Sequence, residues 1–255
     1  MSFWSRLKKR VKRRPLRFDE VLSVDRMMGA TAEGVMVDVG AHFGESLQPF
    51  AKRGWRIVAF EPDTHEGKHA AIKARLNERS DLFTCALSNS EAESSAFYVS
   101  EVSTGISGLL PFHPSHTSAA RVPVRMLRGV LSELGIDRVN FLKIDTEGND
   151  LLVLQGLDWA VRPDVILCEF EDSKTKLANY DYRNLGDYLM SGGYRVFVSE
   201  WYPIKRYGVE HSWRRLCSYP CKLKDTNAWG NFIAVVPERA DEFLTTVKSF
   251  GVLSE

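Results

Sequence analysis

Four apolar runs in this chain of 255 residues end in carboxylates. Asp38 lies in "VMVDVG", Glu61 follows "RIVAF", Asp145 and Glu147 follow "FLKI", and Glu169, Glu171 and Asp172 close "VILCEFED". Acids at the C-terminal ends of strands sit in the crevice where α/β sheets bind ligands. There they can meet a cation, accept hydrogen bonds from hydroxyls, hold a divalent metal or take a proton.

The first run continues into a glycine turn, "VDVGAHFGES", residues 37–46. A strand, a glycine turn and a helix form the usual nucleotide site of such sheets, with free N–H groups at the helix start. The spacing is D-x-G-x-x-x-G rather than G-x-G-x-x-G, and bulky His42 stands where a dinucleotide's pyrophosphate needs glycine. S-adenosylmethionine carries a sulfonium and an ammonium and no phosphate, so an acid before the turn suits it better than NAD. The expected cofactor residues are therefore Asp38, Gly40, Ala41, His42, Gly44 and Ser46 for the methionine end. Glu61 is expected on the ribose hydroxyls, with Pro62 and Leu87 beside it. Lys143 inside "FLKI" needs a partner if buried, and Asp38 and Glu169 are the candidates.

These acids must be positioned by alternating elements. Strands are expected at Val35–Val39, Arg56–Phe60, Leu82–Leu87, Asn140–Ile144, Asp164–Phe170, Tyr194–Ser199 and Phe232–Val236, with a short extra one at Ala96–Val99. Helices are expected at Gly44–Arg53, Thr64–Glu78 with Thr64 as N-cap, Val124–Leu134, Asp150–Gln155 and Tyr182–Met190, and after Pro237. Residues 100–121 and 200–229 read as loops. The fold class is α/β, a doubly wound, Rossmann-like seven-stranded sheet whose last strand is antiparallel. The organisation is a basic arm, residues 1–17, before one domain, 18–255.

At "VDVGAHFGES", "VAFEPD", "LKIDTEGNDLLVLQG", "CEF", "GYRVF" and "NFIAVV" the chain resembles the FkbM family of S-adenosylmethionine-dependent methyltransferases, across roughly residues 35–236. The resemblance implies a class I methyltransferase fold and methyl transfer to hydroxyls of sugars, polyketides and related natural products. Three places depart from the usual family pattern: His42 in the turn, Ser107-Gly108, and "MLR" at Met126–Arg128. The cofactor half matches more closely than the acceptor half.

Methyl transfer to an alcohol needs alignment and a base more than an acid, because the leaving sulfur already carries positive charge. Asp145, Glu147 and Glu169 are the candidate carboxylates and His113, with His116, the candidate histidine of the overhanging loop. A divalent metal, such as Mg²⁺, between Asp145 and Glu169 is a lesser alternative, whereas helix capping by Asp145 or Thr146 competes seriously with the catalytic reading. In residues 200–229, Trp201, Tyr202, Tyr207, Trp213 and Trp229 alternate with Arg206, Arg214 and Arg215. Aromatic faces stack on sugars and arginines pair with phosphate, so a glycan fits, and a packed lid or oligomer contact is the structural alternative. Cys217, Cys221 and His211 lack a fourth ligand for zinc.

Net charge is +1, yet residues 1–17 hold eight Lys/Arg and no acid, which leaves 26 basic against 33 acidic residues in the remainder, net −7. With Phe3, Leu7 and Val11 on one side, the arm reads as an interfacial helix for an anionic membrane surface, with a disordered solvated tail as the equal alternative and nucleic acid the lesser one. No apolar run is long enough to span a bilayer and no secretory leader is read, so the expected location is cytoplasmic with reduced cysteines. The competing functions are an NAD-dependent sugar-modifying enzyme, disfavoured by His42 and the missing Tyr-x-x-x-Lys, and a non-catalytic scaffold on the cofactor fold. A nucleic-acid methyltransferase would need an Asn/Asp-Pro-Pro-Tyr base pocket, which the sequence does not contain.

Overall fold

The structure, a computed structural model, describes residues 18–252. The basic arm therefore lies outside the described residues.

Four strands form a parallel centre: β1 (Val35–Val39), β2 (Arg56–Phe60), β7 (Phe141–Ile144) and β8 (Val165–Phe170). β3 (Asp81–Phe83) extends them beyond β2. β11 (Trp229–Val235) lies antiparallel to both β8 and β9 (Arg195–Trp201), and β10 (Trp213–Ser218) pairs antiparallel with β9 at the far edge. The order is β10-β9-β11-β8-β7-β1-β2-β3. That is the expected class I methyltransferase arrangement of seven strands, with one strand added at the edge. A second sheet, β4 (Ala86–Leu87), β6 (His116–Arg125) and β5 (Ala92–Ser100), stands beside it.

Alternation along the strands builds two cores. Val37, Val58, Leu142 and Ile166 face one, under α4 (Leu127–Glu133), α5 (Asp150–Gln155) and α7 (Tyr182–Ser191). Met36, Ile57, Phe141 and Val165 face the other, under α1 (Glu20–Met27), α2 (Gln48–Lys52), α3 (Lys68–Lys73) and α8 (Ala240–Ser249). Asp181 and Asn184 form a capping box at the start of α7. Glu20 of α1 is buried and its Oε1 accepts from Ser199 Oγ at 2.6 Å and Trp201 Nε1 at 2.9 Å, tying that helix to the sheet.

Several element boundaries differ from expectation for local reasons. The helix after the glycine turn begins at Gln48, not Gly44, because His42 (φ 53°) and Gly44 (φ 81°) are left-handed. Left-handed Gly67 likewise confines the next helix to Lys68–Lys73, and Thr64 makes no capping bond. Residues 82–87 divide between the two sheets. The expected loop 100–121 includes the first half of β6, and residues 124–125 end that strand rather than begin a helix. The short extra strand is nine residues long. Residues 200–229 contain β10. α1 and the four-residue α6 (Asp172–Thr175) have no counterpart in the sequence reading.

Candidate active site

A cavity of about 290 Å³ opens at the C-terminal ends of β1, β2 and β7. Its floor is the glycine turn, one wall is apolar (Phe60, Pro62, Ala86, Leu87), and the loop Thr104–Leu109 covers it. Of the residues singled out in the sequence, Gly40, Ala41, His42, Ser46, Glu61, Pro62, Leu87, Asp145 and Glu147 line it. Gly44, Asp38, Glu169 and His113 do not.

The turn is fixed by the neighbouring strand end. Gly40 and Ala41 N–H groups both donate to the Phe60 carbonyl at 3.0 Å. Gly40 has φ 79°, and a Cβ there would stand 2.0 Å from the Asp145 carbonyl oxygen, so β1 and β7 approach as closely as they do only with glycine. Glu61 then accepts from the His42 N–H at 2.8 Å through one oxygen and from the Asp63 N–H at 2.8 Å through the other. Burial pushes the Glu61 carboxyl up to about 7 against the pull of Lys68. Each oxygen keeps further acceptor capacity, and the residue lines the cavity. The apolar wall and this acid suit an adenine and a ribose diol respectively.

Asp38 requires correction. The register places it opposite Lys143 on β7, so both side chains share a face. Its carboxylate is fully buried, accepting from Ser46 Oγ at 2.6 Å and from Lys143 Nζ at 3.2 Å. Asp38 thus anchors Lys143 and the turn instead of meeting a ligand cation. Lys143 Nζ also lies 3.5 Å from Asp145 Oδ2 and 3.4 Å from the Gly40 carbonyl. Burial pulls its pKa down, but Asp38 and Asp145 outweigh this and hold the ammonium above its ordinary range. Asp145, 45% exposed, is the member of this cluster whose side chain is open to the cavity.

The loop after β7 turns sharply: Glu147 (φ 58°) and Gly148 (φ 98°) are both left-handed. Neither Asp145 nor Thr146 caps α5. Instead buried Asp150 reaches back, accepting from Thr146 Oγ1 at 2.8 Å and from the Glu169 N–H at 3.0 Å. This turn throws Glu147 between the cavity and an internal cation. Lys174 Nζ lies 2.6 Å from Glu147 Oε2, 3.0 Å from Glu169 Oε2 and 3.0 Å from Glu171 Oε2. Burial raises the Glu147 carboxyl to about 7, with Lys174 opposing and Asp145 reinforcing. Burial raises Glu169 further still.

His113 and His116 are engaged elsewhere. His113 Nδ1 lies 2.7 Å from Ser115 Oγ and its ring packs edge-on against Tyr207; His116 Nε2 lies 2.8 Å from the Ile106 carbonyl. The histidine on the cavity is His42, with Nε2 at 3.0 Å from Thr104 Oγ1. Burial, with Lys68 nearby, holds its pKa below 6.5.

The sugar-stacking set is largely spent on packing. Trp213 is buried against Phe18, Trp201 and Trp229 pack on each other at 5.4 Å, and Arg214 covers the Tyr202 ring at 4.1 Å. Arg214 and Arg215 both bind buried Glu200, at 3.0 and 2.7 Å. Tyr207 is the aromatic residue of that segment that reaches the acids, donating to Glu171 Oε1 at 3.3 Å. His211 packs on Trp229, and among the described residues the cysteines join no cluster with metal-ligand spacing.

Two lysines escaped the sequence reading. Lys174 sits in a four-residue helix without periodicity. Lys68, in a surface-like helix, is buried and binds Asp63 at 2.7 Å and the Thr104 carbonyl at 3.0 Å, so it holds the covering loop. The acid that accompanies each, three or five residues away, is the signal the sequence offered.

Residues 38–196 match the family described as "Methyltransferase FkbM domain". Over 228 residues the chain is 27% identical to the AMB antimetabolite synthetase AmbE of Pseudomonas aeruginosa PAO1, a match that takes in 71% of this chain and spans 10% of that relative. Among solved structures, precorrin-6y C5,15-methyltransferase of Geobacter metallireducens GS-15 is similar at TM-score 0.44 and 14% identity, over 84% of this chain and 86% of that one. The 1,6-didemethyltoxoflavin-N1-methyltransferase of Burkholderia thailandensis, solved with 1,6-didemethyltoxoflavin and S-adenosylhomocysteine, is similar at TM-score 0.38 and 13% identity, over 84% and 77%.

Proposed function

The chain belongs to the FkbM family of S-adenosylmethionine-dependent methyltransferases, and from that premise we propose that it methylates a hydroxyl of a sugar or related natural product. The observation that supports oxygen as the acceptor atom is Glu147: a carboxylate on the cavity whose pKa is pushed to about 7. An alcohol must lose its proton as it is methylated, and a base poised near neutrality serves that step.

The bound cofactor supplies a methyl group on a positively charged sulfur. The chain's own groups then have separate tasks. Glu61 accepts the ribose hydroxyls while its backbone bonds to His42 and Asp63 hold it still. Asp145 offers negative charge to the cationic end, and Lys143 fixes its position from below. Glu147 takes the acceptor's proton. The loop at Thr104–Leu109 excludes water, held by Lys68 and by His42.

Calorimetric titration with S-adenosylmethionine, S-adenosylhomocysteine and NAD tests the cofactor half. Micromolar binding of the first two, weakened by on the order of 10- to 100-fold in Glu61→Ala, is expected, the worth of one or two hydrogen bonds to a charged group. A preference for NAD would overturn the reading. Acceptors are then screened for O-methylated product. A product methylated at nitrogen or carbon would replace the hydroxyl assignment.

For the arm, residues 1–17, the reading remains peripheral attachment to an anionic surface at the cytoplasmic face. No described helix is long and apolar enough to cross a membrane. Removal of residues 1–14 is expected to abolish binding to phosphatidylserine vesicles, and unchanged binding would refute the idea.

A further inference from the structure

Asp145, Glu147 and Glu169 each offer a carboxylate oxygen, and these atoms lie within 4.8 Å of one another, a spacing at which acids hold a metal. The place between Glu147 and Glu169 is already filled. Lys174 Nζ stands 2.6 Å from one and 3.0 Å from the other, with Glu171 at 3.0 Å completing the cage. The lysine is 1% exposed, and the rings of Phe112 and Tyr207 lie over the ammonium at 5.3 and 5.9 Å. Aromatic faces favour a cation at that distance. The backbone is shaped around it too: a Cβ on Gly148 would come within 3.0 Å of Lys174 Cβ.

We propose that the Lys174 ammonium is the resident cation of this crevice, occupying the position a divalent metal would take, and that it positions Glu147 and sets its basicity. Buried carboxylates need a positive partner. One ammonium cannot neutralise three of them, so the cage retains a proton near neutrality, and Glu147 is the member from which the cavity can draw or return it. The second clause rests on the reading of Glu147 as base; the first does not.

The test uses the full chain as wild type, Glu169→Gln, Lys174→Gln, and Lys174→Gln with Glu169→Gln. Mn²⁺ is titrated by calorimetry and electron paramagnetic resonance, and glutamate carboxyl resonances are followed against pH in ¹³C-labelled protein. Wild type is expected to show no saturable Mn²⁺ uptake. Lys174→Gln is expected to take up one Mn²⁺ and melt at a higher temperature with it, and the double variant to lose that uptake. The Glu147 midpoint is expected above 7 in metal-free Lys174→Gln. Stoichiometric Mn²⁺ binding by the wild type, abolished by Glu169→Gln alone, would overturn the proposal even if Lys174→Gln failed to fold. So would an unmoved Glu147 midpoint. If a different group proves to be the base, the Mn²⁺ results still stand or fall separately.

A separate observation carries a second inference. Cys217 Sγ, at the end of β10, lies 2.9 Å from Cys221 Sγ, about 0.9 Å from bonding distance. Cys217 is buried, whereas Cys221 is partly exposed beside a surface depression lined by Arg183, Asp187 and Lys222. Tyr182 Oη lies 3.3 Å from Cys221 Sγ. The geometry points to a reversible disulfide between Cys217 and Cys221. The Cys217 thiol beside it draws Cys221 down to about 6, so Cys221 is the thiolate that attacks. It displaces one thiolate from a small disulfide such as oxidised glutathione. The Cys217 sulfur, losing its proton, then attacks Cys221 and expels the second. Two protein thiols become one disulfide, and the oxidant is reduced to two thiols.

Full-length protein equilibrated with glutathione of graded redox ratio, then denatured, alkylated and analysed by mass, decides this. The expected result is loss of two of four thiols, with the peptide 217–221 internally bridged and Cys221→Ser inert to the oxidant. Retention of four alkylatable thiols, or a mixed disulfide that never cyclises, would overturn it.

Discussion

At the residue scale, Glu147 and Glu61 share one physical condition and diverge in role. Both are buried carboxyls with pKa raised to about 7. Glu61 is locked by two backbone donors, whereas Glu147 is paired with the Lys174 ammonium. Replacing Glu147 by Gln is expected to lower turnover ~10²- to 10⁴-fold while S-adenosylmethionine binds as before. The wild-type rate should rise with pH through about 7, because the carboxylate form is the base, and the variant should lose that limb. A pH–rate profile with the identified acceptor checks this. Glu61 gives a second pH signature. Ribose hydroxyls donate to the ionised form, so cofactor affinity should rise as pH climbs toward about 7 and then level. The acids of this site were legible because carboxylates after apolar runs mark strand ends. Asp38 was placed on the cofactor although the sequence also offered it as a partner for Lys143; the register between β1 and β7, across 105 residues, decides that the pair forms and occupies the carboxylate. Lys174 was missed for a different reason: it sits in a four-residue helix too short to show periodicity, although Glu169 and Glu171 lie close to it in sequence.

At the element scale, the site depends on how closely β1 and β7 meet. Gly40→Ala would drive a Cβ into the Asp145 carbonyl at a left-handed backbone angle. A stability loss on the order of 3 kcal/mol or more is expected by denaturant titration. The loop between β5 and β6 covers the cavity through Thr104, Gly105, Ser107 and Gly108. Its amides should exchange hydrogen more slowly once S-adenosylmethionine is bound, and unchanged exchange at 104–108 would place the ligand elsewhere. The sequence showed the central parallel strands well, since each is a mostly apolar run broken by a single charged residue and buried on both faces. It hid β6, whose "HTSAARVPVR" alternates weakly and contains a proline, and β10, whose arginines serve Glu200 rather than solvent.

At the scale of the whole molecule, the buried acids shape stability. Glu61 and Glu147 at about 7, and Asp150 at about 6, keep protons in the folded chain that the unfolded chain has released above its ordinary carboxylate range. Folding therefore loses stability from these groups as pH rises from about 4.5 to about 7. His42, His116 and His211, with lowered pKa, act in the opposite sense below 6.5. The carboxyl contribution is isolated by comparison with Glu147→Gln, which mimics the protonated form. The variant should match wild type near pH 5 and melt above it at pH 8; a difference independent of pH would refute the assignment.

The position of β11 has a consequence for how the chain is made. The strand is made after every other strand of its sheet, yet it lies between β8 and β9 and holds both by antiparallel ladders. Until residue 235 has left the ribosome, β8 presents an open edge, and β9 with β10 has nothing to dock against. Unpaired edges of that kind recruit other strands. The nascent protein thus spends the interval between the emergence of β8 and that of β11 as a half-sheet, and its dependence on chaperones should concentrate in that interval rather than be spread along translation.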